Sequence, residues 1–208
     1  MWLVDGRTVD EGQLAARMAW LSPGEMARYR RFVRRERQRQ FLIGRILLRC
    51  ALARLLGVRP RSLSLTERPG QAPLLQWDGA APGFSIAHSG PWVACAVSAR
   101  APLGLDIERL DAGRDVLALS EQALDDAGAK QVALLQDDER TAAFYGLWSE
   151  KEARYKLAST TAAGAAEASL IRLPHAELAI ALCAGVSQEE MSARLTCGWP
   201  GAESPRAG

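Results

Sequence analysis

The chain has 208 residues, of which 48% are hydrophobic and 24% are charged, and its formal net charge at pH 7 is +2. This composition is close to the average of globular proteins, so it excludes extensive disorder, a collagen-like repeat and a long coiled coil. The longest uninterrupted apolar stretch, residues 178–184, is much shorter than the roughly 20 residues that span a bilayer. Asp5 and Arg7 interrupt the segment that a secretory signal needs to be apolar, so we expect a cytoplasmic protein.

The N-terminal residues predict a short strand, WLVD, and then a helix over residues 12–21. Ser22 and Glu25 have the spacing of a capping box, with Pro23 at the first helical position, so a second helix is predicted to start at Pro23. Apolar residues keep helical spacing from there until Gly57. We therefore expect this helix to extend to Gly57.

Nine arginines lie between residues 28 and 49, with Glu36 as the single acid among them. Most of them fall opposite the apolar positions of the predicted helix, which indicates a basic stripe on its exposed face. Such a stripe can bind phosphates through charge alone, so a nucleic-acid-binding protein is one function class to consider.

A run of short apolar or alternating segments between residues 61 and 106 predicts five strands. In chain order these segments are SLSLT, PLLQW, FSIAH, VACAV and LGLDI. The segment HSGPW predicts a tight hairpin between the third and the fourth of them.

The C-terminal part returns to helical patterns. The predicted elements are a helix over 120–127 with Ser120 as its cap, a long helix over 137–157, a small-residue loop over 159–169 and a last strand over 178–185. The four cysteines lie far apart, and with two histidines in the chain they provide no clustered zinc ligands. We expect Cys50, Cys95 and Cys183 to be small buried residues in a reducing compartment.

Two carboxylates, Asp106 and Glu108, stand at the end of the predicted strand LGLDI. Residues two apart on a strand point to the same side, so these side chains converge. Two converging carboxylates suit a magnesium ion that also binds substrate phosphates. The alternative is an ordinary solvated strand end.

The segment WSEKEARYKL in the predicted long helix contains two of the three lysines of the chain, Lys151 and Lys156. Glu152 and Lys156 lie one turn apart on one helix face, with Lys151 at its edge. An exposed i,i+4 ion pair is the alternative, but arginine would serve that purpose equally well in this arginine-rich chain. A compact ammonium suits close contact with a single phosphate oxygen.

The segment His88-Ser89-Gly90 ends the strand FSIA. A structural histidine at a hairpin is one interpretation, and a contact to a phosphate or nucleotide is the other. A Ser-His-Asp hydrolase lacks support, because the chain has no G-x-S-x-G motif.

In order and spacing, FSIAHSGPWVACAVS, LGLDIE and WSEKEARYK resemble the motifs of the Sfp-type 4′-phosphopantetheinyl transferases. These motifs are a strand ending in His-Ser-Gly with a tryptophan just beyond, a G-x-D-x-E, and a W-x-x-K-E followed by a second lysine. The matches run from Phe84 to Lys156, about a third of the chain. The segment FLIGRILLR is similar to the Gly-Arg segment of the family.

The resemblance implies an α/β (α+β) fold of two similar halves with antiparallel sheets, the second half being shortened. The expected division is an N-terminal half over 1–103 with the basic helices and the hairpin, a C-terminal half over 104–198 with the acids and the long helix, and a flexible tail over 199–208.

The resemblance also implies an enzyme that transfers the 4′-phosphopantetheine group of coenzyme A to a serine of an apo acyl or peptidyl carrier protein, releasing 3′,5′-ADP. Such enzymes act in fatty acid, polyketide or nonribosomal peptide biosynthesis. We expect a monomer that uses Mg²⁺, with neither nucleic acid nor membrane among its partners.

By resemblance, the carboxylates that would hold Mg²⁺ are Asp106, Glu108 and Glu152. Contacts to coenzyme A would come from Arg45, His88, Ser89, Lys151 and Lys156. The two lysines would offset charge that develops on the leaving group, and Glu152 or a water molecule would take the serine proton.

The chain departs from the family pattern at Gly70-Gln71-Ala72-Pro73, where relatives carry Gly-Lys-Pro. One adenine or phosphate contact is therefore missing or displaced. This departure leaves open a catalytically impaired relative that binds coenzyme A or carrier protein, beside the arginine-rich nucleic-acid-binding protein.

Overall fold

The computed structural model describes residues 1–160 and 168–200, which form two compact units. The first unit contains residues 1–86, 91–100 and the chain from 193, and the second contains 87–90 and 101–192. The division of the chain at residue 103 stays a prediction. The predicted flexible tail lies outside the described residues from 201 onward, as does most of the predicted loop over 159–169.

The described part of the first unit contains three α-helices and five strands, and a sixth strand, β4, begins in this unit and ends in the second. Its helices are α1 (Glu11–Arg17), α2 (Pro23–Arg31) and α3 (Arg35–Leu56). Its strands are β1 (Trp2–Asp5), β2 (Ser64–Thr66), β3 (Leu74–Gln76), β4 (Gly83–Ser89), β5 (Trp92–Ser98) and β9 (Thr196–Cys197). Strands β4, β5, β1 and β9 form one sheet in that order, and β2 pairs with β3.

The helical pattern from Pro23 to Gly57 is divided between α2 and α3, so the expectation of one continuous helix is wrong. Phe32 is extended at the end of α2, and α3 begins only at Arg35. The predicted ends are confirmed. Ser22 and Glu25 form the capping box, and Gly57 ends α3 with a φ of 70°, a left-handed conformation that glycine adopts without strain.

Helix α3 supplies much of the first core. Its apolar side chains pack with those of β1 and β5, and Ile46, Leu47, Leu48 and Leu52 are fully buried. Strand β1 pairs antiparallel with β5, and its other edge is covered by the short parallel strand β9. The five strands predicted between residues 61 and 106 are all present, and β4 and β5 form the predicted hairpin.

A buried ion-pair network connects α2, α3 and the end of β2. Both carboxylate oxygens of Glu25 accept hydrogen bonds from Arg49, at 2.9 and 2.5 Å. Arg45 Nε lies 3.3 Å from Glu25 Oε1, and Arg45 Nη2 donates to Glu67 Oε1 at 2.5 Å. The other oxygen of Glu67 accepts from Arg28 at 2.6 Å. The exposed basic stripe expected from the sequence therefore excludes Arg45 and Arg49.

The second unit is built on an antiparallel sheet of three strands, with β8 in the centre. Its strands are β6 (Leu103–Arg109), β7 (Ser169–Arg172) and β8 (Leu178–Ala184), in the order β6-β8-β7. Its helices are α4 (Val116–Ala123), α5 (Asp126–Ala133) and α6 (Asp137–Ala158). Helix α6, predicted over 137–157, packs against β6 and β8.

The predicted helix over 120–127 is wrong in its start and its cap. Two short helices occupy this region, because Asp115 caps α4 by accepting from Ala118 N and Asp125 caps α5 by accepting from Gly128 N. Ser120 lies inside α4, where its hydroxyl donates to Leu117 O at 2.8 Å.

Gly104 sets the distance between β6 and α6. A Cβ atom at this position would lie 2.6 Å from the amide nitrogen of Leu157 and closer still to the carbonyl oxygen of Ala153. Any side chain would thus press the strand and the helix apart along their backbones. The glycine of the G-x-D-x-E motif is therefore required by packing.

All four thiols are free, and Cys95 and Cys183 are fully buried, whereas Cys50 is half-buried and Cys197 is exposed. Burial raises the pKa of the Cys50 thiol to about 11 and that of Cys95 to about 12. Such thiols stay protonated near neutral pH. Within the described ranges, no helix is long and apolar enough to cross a membrane.

We predict that Glu25→Ala lowers the free energy of unfolding by about 3–5 kcal/mol, because the buried guanidinium of Arg49 would lose its carboxylate partner. Chemical denaturation followed by circular dichroism measures this loss. Arg7→Ala is the matched control, since it removes the exposed pair with Asp5 and should cost less than about 1 kcal/mol. Equal losses in both variants would contradict the prediction.

Candidate active site

Strand β6 places Asp106 and Glu108 on one side of the sheet, as the sequence predicts for residues two apart. Asp106 is 5% exposed, and its Oδ1 accepts a hydrogen bond from Lys156 Nζ at 2.7 Å. The same ammonium donates to the carbonyl oxygen of Leu105 at 3.1 Å. Lys156 of α6 is therefore fixed to two successive residues of β6.

The surroundings of Asp106 raise its pKa from an ordinary value of 3.8 to about 6. Burial is the largest cause, and the charges of Glu108 and Glu152 act in the same direction. The ammonium of Lys156 opposes these effects through its charge and its hydrogen bond. Three carboxylates and one lysine thus act on each other electrostatically at this position.

The second carboxylate oxygen of Asp106, Oδ2, is buried and has no hydrogen-bond partner among the described residues. A buried acceptor without a partner is costly unless a cation or water meets it. The oxygen is therefore a suitable ligand for a hard divalent cation.

Within residues 1–160 and 168–200, no group of three or more histidine, cysteine or acidic side chains is already arranged around a common metal position. Mg²⁺ is commonly held by one or two carboxylates, with water and substrate phosphates completing its shell. Asp106 and Glu108, with Glu152 nearby, fit an ion of that kind. They do not form a closed protein cage.

The two lysines of the motif occupy different places. Lys151 Nζ donates to the carbonyl oxygen of Ala123 in α4 at 2.5 Å and lies 5.7 Å from the centre of the Trp148 ring. It therefore interacts with the end of α4, whereas Lys156 pairs with Asp106. The resemblance assigns the same role to both lysines, whereas in the structure they have different partners.

The end of β4 brings a third motif to the acids. His88 is exposed at the end of β4, and the next residue, Ser89, donates from Oγ to Glu108 Oε2 at 2.8 Å. Gly90 turns the chain with a φ of 51°. The hairpin motif and the G-x-D-x-E motif therefore meet through their side chains.

Arg45 belongs to the first unit, where Glu25 and Glu67 hold its guanidinium. Burial lowers the pKa of Arg45, and the neighbouring carboxylates partly reverse this effect. Its guanidinium also lies 4.7 Å from the centre of the Phe41 ring. The sequence patterns do not identify Glu25 and Glu67 as partners of Arg45, because Glu25 fits a capping box and Glu67 lies 22 positions away.

We predict that the wild type loses about 2–3 kcal/mol of stability relative to Asp106→Asn between pH 4 and pH 7.5 in metal-free buffer. The pKa of Asp106 is higher in the folded state than in the unfolded state, so the folded protein binds this proton more tightly. Ionisation therefore costs stability as the pH rises through the window from about 4 to 6. Denaturation at each pH measures the difference, and parallel curves for the two proteins would contradict the prediction.

Two family models match consecutive parts of the chain. The N-terminal model of 4′-phosphopantetheinyl transferase matches residues 8–100, and the model of the 4′-phosphopantetheinyl transferase superfamily matches residues 102–194. Together they include the hairpin motif, the acids of β6 and the lysines of α6.

The chain is also similar to curated proteins. It is 34% identical over 139 residues to a putative 4′-phosphopantetheinyl transferase of Synechocystis, covering 66% of this chain and 56% of the relative. A 4′-phosphopantetheinyl transferase of Bacillus subtilis is 31% identical over 154 residues, covering 73% of this chain and 66% of the relative. The transferase Sfp of Bacillus subtilis is 29% identical over 139 residues, 67% of this chain and 60% of that protein.

These matches span less than two thirds of the relatives' own length. The mixed α/β architecture with antiparallel sheets in two units agrees with the fold expected from the motifs. The two family models account for most of the chain in the order in which its two halves occur. This chain belongs to the 4′-phosphopantetheinyl transferase superfamily.

Proposed function

We propose that the protein transfers the 4′-phosphopantetheine group of coenzyme A to a serine hydroxyl of an apo acyl or peptidyl carrier protein, releasing 3′,5′-ADP. The observation that carries this proposal is the buried Asp106 carboxylate, with one oxygen on Lys156 and the other without a partner, beside Glu108 and Glu152. Such a site suits a cation that accompanies a pyrophosphate.

In the proposed reaction the serine oxygen forms a bond to the phosphorus of the phosphopantetheine group, and the bond from that phosphorus to the oxygen of the ADP phosphate breaks. The serine proton passes to a base, for which Glu152 is the candidate on α6. The residues proposed to hold Mg²⁺ are Asp106, Glu108 and Glu152, and the bound ion would supply positive charge opposite the pyrophosphate. Positioning and electrostatics supply most of the rate enhancement in reactions of this kind.

Lys156 can donate to the leaving group while it keeps its hydrogen bonds to Leu105 and Asp106. An ammonium has three N–H donors, and two of them are used by Leu105 O and Asp106 Oδ1. The third is available to a phosphate oxygen on which negative charge develops. Asp106 and Leu105 thereby aim the lysine.

The remaining proposed side-chain contacts to coenzyme A come from Arg45, His88 and Lys151, whereas the hydroxyl of Ser89, also expected to contact it, donates to Glu108. Arg45 is held by Glu67, so its guanidinium is oriented in advance rather than mobile. Lys151 would have to exchange its contact with Ala123 O for a phosphate, which the exposure of its side chain permits. Among the arginines of the stripe, Arg31 and Arg35 are exposed and suited to attract an acidic carrier protein.

The departure from the family's Gly-Lys-Pro at residues 70–73 favours the alternative of a catalytically impaired relative. All three carboxylates and both lysines of the motifs are nevertheless present. The nucleic-acid alternative rests on the basic stripe, and that stripe is reduced by the burial of Arg45 and Arg49 in ion pairs. The nucleic-acid alternative leaves the site around Asp106 without a role, and the presence of all three carboxylates argues against the impaired relative.

The deciding experiment incubates the protein with coenzyme A, Mg²⁺ and an apo carrier protein, and then measures the intact mass of the carrier. We expect the added mass of one phosphopantetheine group, dependent on Mg²⁺ and abolished by Asp106→Ala or Glu108→Ala. An unmodified carrier together with tight coenzyme A binding would favour the impaired relative. Binding of duplex DNA that Arg31→Ala and Arg35→Ala weaken, without any transfer, would favour the nucleic-acid binder.

We predict that Lys156→Ala lowers kcat by roughly 10²–10³-fold, because the charge beside the leaving group is lost. Lys156→Arg should restore little of this activity, since a planar guanidinium cannot meet Leu105 O, Asp106 Oδ1 and a phosphate with one compact group. Steady-state kinetics with saturating coenzyme A measure kcat. Lys130→Ala, at the exposed third lysine, is the control and should behave like the wild type; full activity of the arginine variant would contradict the role of Lys156.

A further inference from the structure

We propose that Ser89 is a positioning residue, whose hydroxyl orients the carboxylate of Glu108 for the divalent cation. This inference rests on the proposed function, and it replaces a direct contact of the Ser89 side chain with the nucleotide. Ser89 and Glu108 are nineteen positions apart in the chain, and the fold of the second unit brings their side chains together.

The hydroxyl of Ser89 has two partners with opposite roles. The backbone N–H of Arg109 donates to Ser89 Oγ at 3.0 Å, and Ser89 Oγ donates to Glu108 Oε2 at 2.8 Å. Because the amide approaches from one side, the hydroxyl hydrogen points toward the carboxylate. A hydrogen bond to a carboxylate is charge-assisted and stronger than a bond between neutral groups.

A serine hydroxyl has one hydrogen, and here Glu108 accepts it. Phosphate oxygens are acceptors, so the Ser89 side chain cannot donate to a phosphate of coenzyme A while it holds Glu108. The side chain therefore serves the carboxylate.

The consequence for Glu108 is a fixed orientation. This side chain is half-buried near the end of β6 and has several rotatable bonds, so without a partner its carboxylate would sample more than one direction. With Oε2 held by Ser89, the rotation of the carboxylate is restricted, and Oε1 is the oxygen left for a cation. Groups that orient metal ligands in this way commonly change metal affinity by 10–100-fold when they are removed.

The turn that follows supports this arrangement. Gly90 has a φ of 51°, and a Cβ atom there would lie 3.6 Å from Cδ of Arg109. The turn thus passes close to the residue whose amide donates to Ser89. The Ser89 hydroxyl therefore lies at the end of β6, where it contacts the amide of Arg109 and the carboxylate of Glu108.

The test measures binding of Mn²⁺ to the full chain by electron paramagnetic resonance, with coenzyme A present. We expect Ser89→Ala to raise the Mn²⁺ dissociation constant about tenfold, and Ser89→Cys to raise it as well, since a thiol is a weak donor. Ser89→Thr keeps the hydroxyl and should stay within about threefold of the wild type. The control is Ser62→Ala, which removes an exposed hydroxyl that donates to Arg59 O.

A second measurement separates this role from a nucleotide contact. Coenzyme A binding in chelator, followed by calorimetry, should be the same for Ser89→Ala and the wild type. Unchanged Mn²⁺ affinity in Ser89→Ala and Ser89→Cys would overturn the inference and leave the proposed function intact. Weaker binding of coenzyme A by Ser89→Ala in chelator would also overturn the inference, because it would indicate a direct contact of the Ser89 side chain with coenzyme A. A wild type that neither binds Mn²⁺ with coenzyme A nor transfers the group would overturn the proposed function as well.

Discussion

The ion pair between Asp106 and Lys156 is the contact through which the second unit joins its sheet to its long helix at the acidic site. A carboxylate that is 5% exposed needs a cation, and Lys156 reaches it because Gly104 allows the backbone of α6 to lie against β6. A side chain at Gly104 would separate the two elements and with them the pair. The geometry of the site thus depends on an absent side chain two residues earlier.

The pair also explains why this carboxylate is prepared for a further cation. Lys156 meets one oxygen of Asp106, and the other is left buried without a partner among the described residues. Glu108 and Glu152 add negative charge without neutralising it. A site that is short of positive charge in this way is suited to bind a metal together with a charged substrate.

The first unit also contains a buried carboxylate, but there arginines pair with both of its oxygens. Glu25 is fully buried and pairs with both Arg49 and Arg45. The second carboxylate, Glu67, pairs with Arg45 and balances the charges of these two arginines. The hydrogen bonds of the network connect α2 to α3 and orient Arg45. The arginines of this segment therefore include exposed residues and residues buried in ion pairs. The sequence pattern shows that all of them are positively charged, but it does not distinguish the two groups.

The sequence alone determined the local elements with strong signals: the capping box at Ser22, the end of α3 at Gly57, the five strands before residue 109 and the long helix α6. It also determined the family, because three motifs in fixed order carry the chemistry. The break between α2 and α3 lies at Phe32, where the backbone is extended. Helices α4 and α5 are separate because Asp115 and Asp125 each cap a helix start. In both regions competing local signals in the sequence are of similar strength. Only the tertiary structure decided the partners of Glu25, the different surroundings of Lys151 and Lys156, and the bond from Ser89 to Glu108. Those contacts join residues far apart in the chain, and hydrogen-bond geometry and burial are properties of the folded structure, which periodicity and spacing do not encode.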